Sequence, residues 1–301
     1  RIAREAATRM AMLLTGEAHI TDLPTDLRRQ AVEAGLATKS SSLYGSNFFY
    51  FFGTNFPGLG LGSEYPWSDV KVRHAMNIAI DRETLIDTIF DGAAIAAPLM
   101  YHSPAEPGWD DSWTERWEEY YGYNPEKAKA LLAEAGYPNG FEFKLYNYNI
   151  ASFSEGSQVG EALAGYFSDI GLTVDLVDTE YNIPRGAHRV KELDGLMYWW
   201  PFSARPPAVG LGSTWTCAGA FVVYCHEETE VKYERLIQSS DAVERAKLAV
   251  EIGEHHFSQY AGLWMFHPYP TVVLNPSVVG DYKFPGNWTD LYTHLEYVET
   301  A

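Results

Sequence analysis

The stretch MYWWPFSARPP (197–207) concentrates side chains suited to holding a ligand. Trp199 and Trp200 offer flat faces that stack on a sugar ring or cover an apolar group. Arg205 offers a planar fork that pairs with a carboxylate or phosphate. It also stacks on an indole for about 0.5–2 kcal/mol. Side chains alternate faces along a strand, so adjacent tryptophans cannot both enter one core. If the strand ends at a cleft, one of them faces it. The competing reading packs both indoles internally and leaves Arg205 on a proline turn.

Catalytic or metal chemistry finds less support. His255 and His256 are neighbours on an expected helix, so they point in different directions. CHEETE (225–230) lacks the second His that a zinc protease places four residues after the first. These histidines are expected at the surface. The glycine-rich PGLGLG (57–62) has neither the following helix nor the Lys-Ser/Thr pair of a nucleotide loop, and reads as a connector. No Gly-x-Ser-x-Gly elbow is present. With 40 Asp and Glu any two carboxylates could be paired on paper, so none is nominated. Asp110, Asp111, Glu118 and Glu119 read as a solvated face. The expectation is no enzyme, no cofactor and no metal site.

The elements that must position a binding site follow from periodicity and punctuation. Helices are expected over 3–15 and 26–34. Another follows Ser68 or Asp69 as cap, and another follows Asp81 and stops at Gly92. Residues 125–136 form a helix with Pro125 at its first position. Further helices cover 154–170, 184–193, 230–240 and 241–261. Strands are expected at 48–56, 141–149, 172–181 and 195–200, then over 263–276 with a bend at Pro268 and Pro270, and last over 291–300. The Trp- and Pro-rich 98–117 reads as an ordered surface loop. Helix and strand alternate as in βαβ units.

Bulk properties exclude several classes. A net charge of −18 repels nucleic acid and anionic membranes. No stretch reaches the ~20 apolar residues of a membrane-spanning helix. No secretory leader is recognisable, and the sequence starts at Arg1, as a processed or truncated chain does. A disulfide between Cys217 and Cys225 is geometrically open but not implied by two cysteines alone.

Three stretches carry a resemblance: DVKVRHAMNIAIDRETLIDTIFDGAAIAAP (69–98), YNPEKAKALLAEAGYPNGFEFKLY (123–146), and the order DIGLTVDLVDTEY, DGLMYWW, helix pair, VVGDYKFPG thereafter. From about residue 10 onward the chain resembles the extracellular solute-binding proteins (family 5) of peptide/nickel-type ABC importers. LLTGEAHITDLP (13–24) fits a weaker family pattern in which Asp usually stands at the place of His19. The resemblance implies an α/β fold: a type II periplasmic-binding-protein-like lobe with a mixed sheet and flanking helices, plus part of a second lobe. On that map residues 1–56 hold a partial terminal lobe and a hinge strand. Residues 57–285 form the second solute-binding lobe, and 286–301 return to the first. Family members are longer, and the part without a counterpart precedes Arg1.

The implied function is capture of a small solute between two lobes and delivery to a membrane ABC permease. The solute could be a peptide, an oligosaccharide, a conjugate or a metal chelate. The place is periplasmic or extracellular, with lipid anchoring left open. The alternative is a reduced lobe serving as an accessory subunit of a complex. Peptide-binding relatives carry a Trp and then an acid that holds the ligand's amino terminus. Aligned on the prolines, the Trp falls on Trp199 or Trp200 and the acid on Phe202 or Ser203, so the acid is absent and Arg205 follows. Analogous strand ends add Tyr146, Tyr148, Asn149 and Tyr181, and the loop beyond adds Trp215. The ligand-contact set expected is Trp199, Trp200, Ser203, Arg205, Trp215, Tyr148 and Tyr181.

Overall fold

A computed structural model of the chain describes residues 3, 5–41, 48–96, 99–102, 107–150, 153, 155–199, 207–284 and 295–301. The first part of the chain builds α1 (Ala6–Leu14), β1 (Ile20–Thr21), α2 (Thr25–Glu33) and β2 (Ala37–Ser40). After β3 (Phe48–Phe52) come α3 (Val70–Ile78), α4 (Arg82–Phe90) and β4 (Ala94–Ala96). The expected caps act here: Asp69 Oδ1 accepts from Lys71 N at 2.8 Å and Asp81 Oδ1 from Thr84 N at 3.0 Å.

Next are α5 (Ser112–Glu115), α6 (Trp117–Tyr121) and α7 (Pro125–Glu134), the last capped by Asn124. A parallel unit follows: β5 (Glu142–Asn147), α8 (Gly156–Asp169), β6 (Thr173–Asp178), α9 (Asn182–Arg189) and β7 (Gly195–Trp199). The chain continues through α10 (Pro207–Thr214), α11 (Glu227–Gln238), α12 (Ala242–Ser258), β8 (Leu263–Pro268), β9 (Thr271–Leu274), β10 (Val279–Tyr282) and β11 (Val298–Thr300).

The large sheet has the order β4-β8-β3-β7-β5-β6, with β5 parallel to β6 and β7 and the other pairs antiparallel. It is the mixed sheet expected. All five residues of β3 are buried, because helices cover both faces of a central strand. The PGLGLG connector follows. Gly62 has φ +92°, and a Cβ there would sit 2.2 Å from Thr54 O, so only glycine fits the turn. Arg82 ties the layers together: Nε donates to Trp264 O at 2.6 Å, Nη1 to Asn77 O at 2.9 Å and to Tyr121 O at 3.2 Å, and Nη2 to Asn77 Oδ1 at 3.1 Å.

The small sheet has the order β1-β9-β2. Val273 faces Met10, Leu13, Leu23 and Ala31, while Val272 and Leu274 face Val279 and Tyr282 on the other side. This alternation makes the small sheet a layer between α1 and α2 on one face and the β10–β11 pair on the other.

Strand pairing shows where the chain passes between the sheets. β3 lies in the middle of the large sheet and does not bridge two sheets. The chain leaves the large sheet at the Pro268–Pro270 bend and enters the small one as β9, before residue 286. Prolines remove ladder donors, and the two strands can part there. The stretch 98–117 is also more than a surface loop. Trp113 is fully buried, and its Nε1 donates to Glu254 Oε2 at 2.8 Å. The expected surface histidines are inside as well, with His255 and His256 exposed by 9% and 1%. Helix α12 packs on its neighbours along more than one face, so two adjacent positions are both covered.

Candidate ligand-binding site

The carboxyl ends of the parallel strands β5, β6 and β7 converge, the usual place for a ligand in an open α/β sheet. The ends of β5 and β6 each lead into a segment bearing a tyrosine ahead of the next helix. Tyr148 follows β5, is 3% exposed, and donates its hydroxyl to Tyr198 O at 2.7 Å. Its ring stacks on Tyr198 with centroids 4.2 Å apart. Tyr181 follows β6, is half-buried, and lies 5.5 Å from the Tyr148 ring. Burial pushes the Tyr148 and Tyr198 hydroxyls above their ordinary range, so both stay neutral.

One cation joins this wall. Tyr181, Arg185 and His188 recur at i, i+4 and i+7, which puts them on one side of α9. Arg185 is buried, lies 4.1 Å over the Phe221 ring, and its Nη1 donates to His188 Nδ1 at 2.7 Å. His188 Nε2 then donates to Val222 O at 2.6 Å, the tautomer its partners require. Burial lowers the His188 pKa to about 4, so the ring is neutral and Arg185 carries the charge. Arg185 was not among the residues expected from sequence, although the Tyr-Arg-His spacing was there to read.

Helix α8 closes the floor by close approach. A Cβ on Gly160 would lie 2.4 Å from Asn147 Oδ1, and one on Gly156 2.9 Å from Tyr198 OH. Just before the helix, Glu155 Oε1 accepts from Thr25 N at 3.1 Å and from Thr25 Oγ1 at 3.3 Å. This carboxylate sits at the N-terminus of α2, where the helix dipole favours it. Arg29 Nε also donates to Asp91 Oδ1 at 2.7 Å. The segment after β5 therefore lies against the start of α2.

The remaining expected residues separate. Trp215 is 2% exposed and lies among Phe49, Trp264 and His256, so it packs in the core. A loop position read from sequence did not reveal that its ring turns inward. Asn149 is exposed, and its Oδ1 accepts from Ser157 N at 2.9 Å, a cap for α8. Tyr146 donates to Asp194 Oδ1 at 2.5 Å, beside the Lys144–Asp194 ion pair. Trp199 ends β7 with its backbone paired to Phe49. The Trp199 side chain and the whole of Trp200, Ser203 and Arg205 lie outside the described residues. Of the described residues here, Tyr148 packs in the core like Trp215 and is not the exposed contact expected, while half-buried Tyr181 is the ring left partly open, backed by buried Tyr148, Tyr198 and Arg185.

The profile of bacterial extracellular solute-binding proteins, family 5 (middle part), matches residues 1–221. Heme-binding protein A of Haemophilus influenzae is 28% identical over 234 residues, 75% of this chain and 42% of that protein. The dipeptide-binding protein of Escherichia coli is 26% identical over 213 residues, 65% of this chain and 37% of its own length. The chain thus spans less than half of these relatives. NikA of Brucella suis in complex with Fe(III)-EDTA shares the fold, with TM-score 0.78 and 17% identity over 100% of this chain and 61% of that one. With a match over more than two thirds of its residues, the chain belongs to the bacterial extracellular solute-binding proteins of family 5.

Proposed function

We propose that this chain supplies one face of a solute-binding cleft, and that the protein captures a small solute and delivers it to an ABC permease. The observation that carries the reading is half-buried Tyr181, backed by buried Tyr148 and Arg185, at the carboxyl ends of β5 and β6. The named relatives are binding proteins, which agrees with a role without chemistry. Closure works by population shift: a solute that touches both halves only when they meet favours the closed form. The bend at residues 269–270, where the chain changes sheets, is the proposed hinge. The proposed place is periplasmic or extracellular.

The proposed solute has a ring or apolar body and an anionic group. Support comes from the aromatic surface and from residues 201–207, which contain Arg205 and no carboxylate to hold a ligand ammonium. A thermal-shift screen of the full chain against dipeptides, oligosaccharides, sugar phosphates, opine-type conjugates, heme and metal chelates tests this. A hit of the anionic class, weakened at least tenfold in affinity by Tyr181→Ala, Trp199→Ala or Trp200→Ala, supports it. A hit that none of the three alters places the solute elsewhere.

A further inference from the structure

Helix α11 starts directly after the Cys217–Cys225 disulfide, with His226 as its N-cap and Glu228 in its first turn. Helix α12 carries His255 against them. One donor atom each from His226, Glu228 and His255 lie within 4.8 Å of one another. His255 Nδ1 is 3.3 Å from Glu228 Oε2. Two ligands of a tetrahedral zinc ion, each bonded at about 2.1 Å, are about 3.4 Å apart. Two of the three positions therefore already have the separation of a metal's ligands. The His226 and His255 rings are 4.6 Å apart between centroids, so a side-chain rotation brings in the third.

The surroundings orient these donors. Lys232 Nζ donates to Glu228 Oε1 at 2.8 Å, which leaves Oε2 directed at His255. Buried Tyr224 places its hydroxyl 3.3 Å from His255 Nε2. A partner on the second ring nitrogen is what fixes a ligating imidazole. His255 is 9% exposed, His226 half-buried and Glu228 exposed, so the cluster runs from the interior to the surface.

We propose that His226, Glu228 and His255 form a site for one divalent transition-metal ion of the zinc type, with a fourth position open to solvent. Two imidazoles and one carboxylate favour zinc, nickel or copper over the hard magnesium ion. Binding through Nδ1 takes the neutral His255 tautomer whose proton is on Nε2, where the Tyr224 hydroxyl oxygen accepts it. It also trades the 3.2 Å cap bond from Glu228 N to His226 Nδ1 for a metal bond. The ion clips the start of α11 to α12. Sequence alone could not show this, because His255 is far from CHEETE along the chain. Among the described residues, the second group of possible donors, Cys217, Cys225 and Glu230, is spent, since its two sulfurs are bonded to each other.

The test is a calorimetric titration of the full chain, freed of metal with EDTA, with ZnCl2 and separately with MgCl2. Variants are His226→Ala and Glu228→Gln, neither of which opens the core, and His19→Ala, an exposed histidine on another segment. The expected result is one zinc per chain and no magnesium. Affinity falls at least tenfold in the first two variants and stays the same in His19→Ala. No stoichiometric zinc binding, or equal affinity in wild type, His226→Ala and Glu228→Gln, overturns the proposal.

Discussion

Removing the Cys217–Cys225 disulfide by the double change Cys217→Ala, Cys225→Ala is expected to cost a defined part of the stability. The bond closes a loop with a sequence separation of 8. Loop entropy for that length gives about 2.5 kcal/mol of lost constraint on the unfolded chain. A packing loss adds to it. Cys225 is fully buried beside Phe56, Val222 and Cys217, and Gly58 N donates to Cys225 O at 3.1 Å. Deleting two sulfurs from that cluster costs roughly 1 kcal/mol more. The double variant should therefore lose about 3.5 kcal/mol in urea denaturation, and reduced wild type about 2.5 kcal/mol. Dithiothreitol should leave the variant unchanged. A loss under about 1 kcal/mol, or a variant that still responds to reductant, would refute the reasoning that this bond pins the segment between α10 and α11.

Three further outcomes follow from buried groups. Gly160→Ala drives a Cβ to 2.4 Å from Asn147 Oδ1; it should cost about 1–3 kcal/mol in urea denaturation, while Gly165→Ala, with open space around it, should not. Arg82→Met removes the donor from the Asn77, Tyr121 and Trp264 carbonyls; the expected loss is about 3–5 kcal/mol, read as a lower urea midpoint. Burial holds His102 and His188 at about 4 and His267 at about 3. These folded values lie below the unfolded one, so the unfolded chain binds more protons and stability falls as pH drops from about 6.5 toward 4. Each group contributes at most about 1.4 kcal/mol per pH unit. Equal urea midpoints at pH 7.5 and pH 5 would contradict this.

Local signals were legible where short-range chemistry decides. Asp69, one of two caps offered, and Asp81 cap the helices that follow them, Pro125 opens its helix as read, and the parallel β5–β6 unit follows from its spacing. The resemblance supplied the family, but not which strand joins which sheet. β8 enters between β4 and β3, and β9 between β1 and β2, from more than 200 residues away along the chain for β3, β1 and β2. No periodicity reports such a pairing. Side-chain direction off regular elements was equally hidden. Trp113 and Trp215 both read as loop residues, and both turn inward because an indole in water is the costlier choice. Strand ends pointed to Tyr148 and Tyr181, of which Tyr148 is buried and Tyr181 is half-buried. Arg185 needed the fold to distinguish it from exposed Arg189 on the same helix.

Hydrogen–deuterium exchange on the full chain, with and without the first solute that raises its melting temperature, tests the central claim most directly. Bound solute should slow exchange in residues 147–156, 179–188 and 199–206, where β5, β6 and β7 end. Unchanged exchange in all three segments, with protection confined to α11 and α12, would contradict the account.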